Sequence, residues 1–315
     1  MKTVSGTSTA ASAISSCRVK RTKKSEGMHS GPRKLNAFTV DLEEWYQGIE
    51  IPVCDWSRFE SRISDATEVL LSLLAEFGAR ATFFVLGYNV PRIKPLLRTI
   101  ASAGHEVGTH GLCHTFIYRQ DRATFHEELL RAKAETEDAV QRPVVSHRAP
   151  YFSITRDSIW ALEVLAELGM RYDSSIFPVQ NYRYGIPGSP RDLYFISLPD
   201  GKSLCEFPVS TVKSCGRVWP CSGGAYFRIY PYLFTKRNIE ALNRQGIPAN
   251  FYIHPWELDP DHPRIPLPKR ISLTHYFRLG STVPRLKLLL KEFQFGTLEE
   301  VIEHERPRLR HQTVL

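Results

Sequence analysis

Residues 106–114, Glu-Val-Gly-Thr-His-Gly-Leu-Cys-His, are the stretch from which the fold prediction starts. The stretch reads as a short buried strand, predicted over residues 105–109, followed by a loop that carries His110 and His114. A His-x3-His spacing lets both imidazoles approach one metal ion from the same side. Such a pair is by itself more often a surface or capping feature, so a metal site requires a further ligand from elsewhere in the chain.

The run Thr-Val-Asp-Leu-Glu, residues 39–43, supplies carboxylates for this purpose. Asp41 and Glu43 are two residues apart at the end of a strand predicted over residues 36–41, so both side chains project to the same face. Two histidines and one carboxylate leave positions open for water, as catalytic zinc sites require. We therefore predict one divalent metal ion, with zinc as the default, although cobalt, nickel, iron and manganese also suit these ligands.

From residue 36 onward, strand-like and helix-like segments alternate. Buried strands are predicted over residues 36–41, 81–86, 105–109, 144–147 and 249–253. Helices are predicted over residues 64–77, 89–103, 121–140, 157–168, 236–245 and 283–292, with a short helix after Thr297 and with Ser64, Asn89 and Asp121 as caps. Residues 179–224, rich in Pro, Gly and aromatic residues, are predicted to be an irregular excursion with β-like runs at 193–198 and 204–209. This alternation predicts a parallel α/β architecture.

The unusual polar residues follow the ends of predicted strands, and they are Asp41, Glu43, His110, His114, Arg148, Asp173 and His254. Polar residues collected from the carboxyl ends of several strands are the signature of a β/α barrel mouth. A doubly wound open sheet is the alternative, but the sequence contains no Gly-x-Gly-x-x-Gly that would favour a dinucleotide.

Length and charge limit the possible functions. The chain has 315 residues, 42% of them hydrophobic, and a formal charge of +8. Residues 1–35 contain eight Lys or Arg and one acid, so this segment carries +7 and the rest only +1. We predict a disordered basic tail at 1–35 and a single domain at 36–315, with a C-terminal extension from about residue 258. A folded part this close to neutral does not predict nucleic-acid binding.

No membrane or secretory segment is recognisable in the sequence. The tail lacks a continuous apolar stretch, and no later run approaches the ~20 apolar residues of a membrane helix. We expect a cytoplasmic protein without stable membrane insertion. The six cysteines are scattered through a long chain, which favours reduced thiols.

The polar set has a chemical interpretation as a whole. A metal ion lowers the pKa of bound water, and a carboxylate can take its proton. Arg148 can support that carboxylate, and His254 can protonate a leaving group while Asp173 orients its ring. Each feature alone has an ordinary explanation as a strand end, a turn or a loop. Together they predict a metal-assisted hydrolase of an amide or ester.

Six aromatic residues are expected to pack in the core, with binding of sugar rings as the alternative. They are Trp45, Tyr46, Tyr226, Phe227, Tyr230 and Trp256.

Residues 36–257 resemble the polysaccharide deacetylases of carbohydrate esterase family 4, which contain the NodB homology domain. The family's five motifs are similar, in order, to residues 39–43, 110–114, 148–151, 173–178 and 253–255. Segments that look like a narrower group, the exopolysaccharide deacetylases linked to exosortase (PEP-CTERM) gene clusters, are residues 43–46, 223–228, 254–260, 275–278 and 285–295.

This resemblance implies a distorted (β/α)7 barrel that removes N-acetyl groups from N-acetylhexosamine units of a polysaccharide. It assigns roles as follows: Asp41 as base, Glu43, His110 and His114 as metal ligands, Arg148 as support for the base, His254 as acid paired with Asp173, and the N–H of Tyr151 as an oxyanion donor.

Two departures from the family pattern leave alternatives open. The usual adjacent Asp-Asp is Asp-x-Glu here, so the assignment of the ligand and the base to Glu43 and Asp41 could be reversed. Gly111 stands where the family has Ser or Thr. Some relatives with this spacing hydrolyse cyclic amides, so a cyclic ureide or imide amidohydrolase is one alternative function. A catalytically inactive glycan-binding module is another.

Overall fold

The computed structural model describes residues 33–308 and 311–312. Of the predicted basic tail, residues 1–32 lie outside the described residues. The first strand begins at Leu35, the last residue of the predicted tail and one residue before the predicted start of the strand.

Strands and helices alternate along the described chain. The strands are β1 (Leu35–Leu42), β2 (Thr82–Val85), β3 (Glu106–Thr109), β4 (Ser146–His147), β5 (Tyr172–Asp173), β6 (Tyr194–Ser197), β7 (Ser203–Glu206), β8 (Thr211–Ser214), β9 (Arg217–Pro220), β10 (Asn250–Ile253), β11 (Gln294–Gly296) and β12 (His311–Gln312). The α-helices are α1 (Ile63–Glu76), α2 (Val90–Ser102), α3 (Arg122–Val140), α4 (Ala161–Glu167), α5 (Gly224–Ile229), α6 (Tyr232–Arg244), α7 (Lys269–Tyr276), α8 (Thr282–Glu292) and α9 (Leu298–Glu305).

The main sheet closes into a barrel. Strand pairing runs in the order β10-β1-β2-β3-β4-β5-β7, and these pairs are parallel. The chain after β7 then returns to β10, because the N–H of Ser210 donates to the carbonyl of Asn250 at 3.1 Å and the N–H of Asn250 donates to Oγ of Ser210 at 2.8 Å. The predicted barrel is confirmed, and the open doubly wound sheet is wrong for this chain.

Side chains of β1 alternate between two environments, as a parallel barrel strand requires. Phe38, Val40 and Leu42 pack in the largest apolar cluster, which includes residues of α1 and α2. Ala37 packs in a different cluster, with residues of β2, β5 and α9. Asp41 follows Ala37 by four positions, an even number, so its side chain points to the same face. It therefore lies on the inner face of the barrel, at the carboxyl end of the strand.

Predicted element boundaries are wrong at several places. Asp121 caps α3 as predicted, with its carboxylate accepting from the N–H of Thr124 at 2.8 Å. Ser64 is not a cap, because α1 begins at Ile63 after Arg62. The side chain of Asn89 also caps nothing, since it pairs with Gln47.

The excursion at 179–224 is only partly irregular. Its predicted β-like runs correspond to β6 and β7, and β7 is itself a barrel strand. The segment also contains the hairpin β8–β9, which was not predicted.

The C-terminal part contributes to the barrel as well. Strand β11 pairs with the start of β1, and α9 packs against the inner-face residues of several strands. The N–H of Leu298 donates to Oγ1 of Thr82 at 2.7 Å, so α9 covers the amino end of the barrel and leaves the carboxyl end open. Within the described residues, no helix is both long and apolar enough to cross a bilayer.

Candidate active site

The carboxyl ends of the barrel strands surround a cavity of about 260 Å³. Six of the eight predicted site residues line this cavity, and they are Asp41, Glu43, His110, His114, Tyr151 and His254. Arg148 and Asp173 do not line the cavity, but Arg148 donates a hydrogen bond to the cavity-lining Asp41.

Glu43, His110 and His114 form a compact buried cluster. Nε2 of His114 lies 2.6 Å from Oε2 of Glu43, and Nε2 of His110 lies 4.0 Å from the same oxygen. One ligand atom from each residue can be chosen so that all lie within 4.8 Å of one another. One ion can therefore contact all three side chains with small adjustments.

The contacts around this cluster leave its ligand atoms available. Nδ1 of His110 lies 2.8 Å from the carbonyl oxygen of Arg148. Because a carbonyl only accepts, Nδ1 carries the proton and Nε2 keeps its lone pair. Oε2 of Glu43 is buried and accepts no hydrogen bond of acceptable geometry, despite the nearby ring of His114. An unpaired buried carboxylate oxygen facing two imidazoles fits a divalent cation.

Electrostatics keeps His110 and Glu43 in the protonation states that bind metal. Burial lowers the pKa of His110 to about 4, so its ring is neutral at pH 7. Burial raises the pKa of Glu43, but the adjacent ring of His114, followed by the charges of His254 and His110, lowers it to about 2.

Glycines allow the backbone to approach this cluster. A Cβ at Gly48 would lie 2.7 Å from Oε1 of Glu43, so a larger residue there would displace the carboxylate. Gly111 has a φ of +76°, which favours glycine. Its carbonyl accepts from the N–H of Gly87 at 2.9 Å, which fixes the loop between the two histidines. The departure from the family's Ser or Thr at Gly111 is thus consistent with the loop's conformation.

Asp41 is held by Arg148. Nη1 of Arg148 donates to Oδ1 of Asp41 at 2.7 Å, and its other nitrogens bind the carbonyl and hydroxyl of Ser174 at 3.1 and 2.8 Å. The guanidinium is fully buried and lies 4.5 Å from the ring centre of Phe84. This pair fixes Oδ1 and leaves Oδ2 of Asp41 3.8 Å from Nε2 of His254.

His254 belongs to a second charged network. Its Nδ1 lies 2.9 Å from Oε1 of Glu257, whose other oxygen accepts from Nε of Arg228 at 2.6 Å. Glu257 and Arg228 are fully buried. Burial lowers the pKa of His254, but the hydrogen bond to Glu257 and the charges of Glu43, Glu257 and Asp41 raise it to about 9. The ring is therefore protonated at neutral pH, with its Nε2 directed between the two site carboxylates.

The predicted pairing of Asp173 with His254 is wrong. Asp173 accepts from His147 at 2.8 Å and from the hydroxyl of Ser175 at 2.6 Å. The reason is strand register, because Asp173 on β5 lies directly beside His147 on β4 and Glu206 on β7. His254 follows β10, on another side of the barrel.

Glu257 and Arg228 are the functional candidates that sequence reasoning missed. Both belong to segments matched to the narrower deacetylase group, but neither was given a role. The available signal was the spacing of His254 and Glu257, since a 3-10 turn over Pro255–Leu258 places residues three apart side by side.

Tyr151, the predicted oxyanion donor, lines the cavity beside the Glu43–His110–His114 cluster. It has a φ of 56° and packs edge-on against His114, with ring centres 4.2 Å apart. Phe152 and Ser153 donate the backbone hydrogen bonds of this turn, which leaves the N–H of Tyr151 without a backbone acceptor there.

The aromatic candidates divide between the core and the cavity. Tyr226 and Trp256 line the cavity, and Trp256 stacks on His254 with ring centres 5.0 Å apart. Trp45, Tyr46 and Phe227 are buried in apolar clusters instead.

Fold and site together define a barrel protein with a candidate metal centre and flanking acid and base groups at the carboxyl ends of its strands. Residues 55–172 match the polysaccharide deacetylase family, and residues 174–303 match a domain of unknown function, DUF3473. The chain carries a polysaccharide deacetylase domain of carbohydrate esterase family 4, directly followed by a DUF3473 segment. Membership of the exosortase-linked group stays a prediction.

Curated relatives match only part of the chain. It is 35% identical over 101 residues to a chitooligosaccharide deacetylase of Bradyrhizobium sp., covering 32% of this chain and 43% of that protein. It is 30% identical over 79 residues to a peptidoglycan-N-acetylglucosamine deacetylase of Bacillus cereus, covering 25% of this chain and 37% of that protein. The chain thus spans less than half the length of each of these relatives.

Solved structures match over most of the chain and bear on the fold alone. A polysaccharide deacetylase structure from Mycobacterium smegmatis has a TM-score of 0.65 at 21% identity and covers 91% of this chain and 96% of its own. An allantoinase structure has a TM-score of 0.57 at 14% identity and covers 86% of this chain and 89% of its own.

Proposed function

We propose that this protein is a metal-dependent hydrolase that removes N-acetyl groups from N-acetylhexosamine units of a polysaccharide. The observation that carries the proposal is the convergence, in one cavity, of the Glu43–His110–His114 cluster with Asp41 and His254. The relatives' deacetylase activities support the same reaction class.

Glu43, His110 and His114 would hold a divalent ion, by default zinc, which when bound supplies Lewis-acid activation of water and of the acetyl carbonyl. Asp41 accepts the proton of the attacking water through Oδ2, since Arg148 occupies Oδ1. The N–H of Tyr151 donates to the oxygen on which negative charge develops.

His254 completes the reaction as the acid. Its Nε2 gives a proton to the amide nitrogen as the C–N bond breaks, so that acetate and a free amine leave. Glu257 orients the ring through Nδ1, and Arg228 holds Glu257 in place. Because these residues follow position 174, we propose that the DUF3473 segment completes the active site rather than forming a separate module.

The substrate is proposed to be an exopolysaccharide, which rests on the resemblance to the narrower group. Incubation of the purified protein with acetylated glycan oligomers, allantoin and succinimide, scored for acetate and for ring opening, tests the assignment. We expect acetate only. Ring opening without acetate would favour the cyclic amidohydrolase, and binding without any turnover would favour the inactive glycan-binding module.

A further inference from the structure

The mouth of the cavity carries positive charge that the residues described by the structure do not neutralise. Deeper in the cavity, Asp41 pairs with Arg148 and Glu257 pairs with Arg228 and His254. Arg183 and Arg270 also line the cavity. In the described part of the chain, Arg270 has no carboxylate within ion-pair distance.

Arg183 is only partly compensated. Its Nη2 lies 2.9 Å from Oε1 of Glu50, and Nη1 of Arg119 lies 3.7 Å from the other oxygen of the same carboxylate. Two guanidinium groups thus share one acid. The two cavity-lining arginines, Arg183 and Arg270, and the neighbouring Arg119 thus have one carboxylate between them, although the chain outside its first 35 residues has a net charge of only +1.

Aromatic rings hold these guanidinium groups without neutralising them. Arg270 lies 4.5 Å from the ring centre of Tyr182, and Arg183 lies 4.8 Å from that of Tyr151. Tyr182 is 69% exposed, so this pair stands at the rim where a polymer enters. A cation over a ring keeps its charge and its outward N–H donors, which match a carboxylate in a two-point geometry.

We infer that the substrate is an acidic glycan, in which a sugar carrying a carboxylate flanks the N-acetylhexosamine and binds Arg270 at the rim. This inference rests on the proposed function and specifies its substrate class. The carboxylate of this sugar would lie outside the catalytic cluster, so it would contribute to the choice of polymer without taking part in the hydrolysis.

The test compares two substrates of equal length: a neutral N-acetylglucosamine tetramer and an alternating tetramer of N-acetylglucosamine and glucuronic acid. We expect kcat/KM, measured by acetate release, to be higher for the acidic tetramer. Arg270→Gln should lower kcat/KM for the acidic tetramer roughly tenfold and leave kcat/KM for the neutral tetramer unchanged. The expected loss is modest because a charge-assisted hydrogen bond at an exposed site contributes less binding free energy than a buried one. Added salt should reduce the difference between the substrates.

Arg171→Gln is the matched control, since Arg171 is an exposed arginine 5.0 Å from the ring centre of Tyr172 at the other end of the strands. It should change neither value. Equal turnover of both tetramers, with no selective loss in Arg270→Gln, overturns the inference and leaves deacetylation intact. Absence of acetate from both tetramers overturns the proposed function itself.

Discussion

Replacing Glu257 by Gln tests whether this residue serves the acid His254. Besides accepting from the backbone N–H of His254, the carboxylate makes two side-chain contacts at once, with the ring of His254 through Oε1 and with Arg228 through Oε2. A carboxamide has one acceptor oxygen, so only one of the two contacts survives. A hydrogen bond to a charged group contributes about 1.5–3 kcal/mol, which corresponds to a loss of about 10- to 100-fold in kcat if the ring is misplaced in the transition state.

The leaving group separates a catalytic effect from structural damage. An amine must be protonated as it leaves, whereas 4-nitrophenolate leaves 4-nitrophenyl acetate without a proton. Glu257→Gln should therefore lose most of its activity on an N-acetylated glycan and little on the ester, with its metal content unchanged. Since Glu257 raises the pKa of His254, the alkaline limb of the glycan profile should also move to lower pH.

Asp173→Asn is the informative comparison, because the sequence predicted Asp173 as the partner of His254. In the structure Asp173 binds His147 and Ser175, so its substitution should lower stability and affect both substrates equally. A glycan-selective loss in Asp173→Asn, or an equal reduction of both activities in Glu257→Gln, would refute the role of Glu257 as the partner of His254.

Further predictions concern the metal, the base and a buried proton. His110→Ala and His114→Ala should each abolish metal binding, as measured by elemental analysis, because each removes one of three protein ligands. Asp41→Asn should keep the metal and lose about 10²–10⁴-fold in turnover, whereas Glu43→Gln should lose the metal; the opposite pattern would show that the two carboxylates exchange roles. Burial and the neighbouring charge of Asp173 raise the pKa of Glu206, so Glu206→Gln should fold and turn over normally. Because a raised acid pKa contributes stability that is lost as pH rises, the melting temperature of the wild type should fall relative to Glu206→Gln in alkaline buffer.

The sequence was informative where periodicity and strand ends carry the signal. The apolar runs that became β1 and β10 identified barrel strands, and the polar residues after them identified the cavity wall. Strand β4 was predicted too long and β5 was not predicted, because the pairing of these two-residue strands is set by their neighbours and not by their own composition.

The pairing of strands that are distant in the chain could not be predicted from the sequence. Whether Asp173 meets His254 or His147 depends on which strands are adjacent, and β5 lies beside β4 and β7. The same limit applies to β11, a three-residue strand that pairs with β1 across more than 250 positions of sequence. Glu257 lies only three residues from His254 in the sequence. Its His-x-x-Glu spacing becomes informative, however, only once a 3-10 turn is known to follow the strand.

The most direct test of the central claim is a titration of metal-stripped protein with zinc, in which acetate release from an N-acetylglucosamine oligomer is measured at each step. The Glu43–His110–His114 cluster predicts no activity without metal and a rise that saturates at one equivalent per chain. Full acetate release by the stripped protein, or a rise that is unchanged in His114→Ala, would contradict the account.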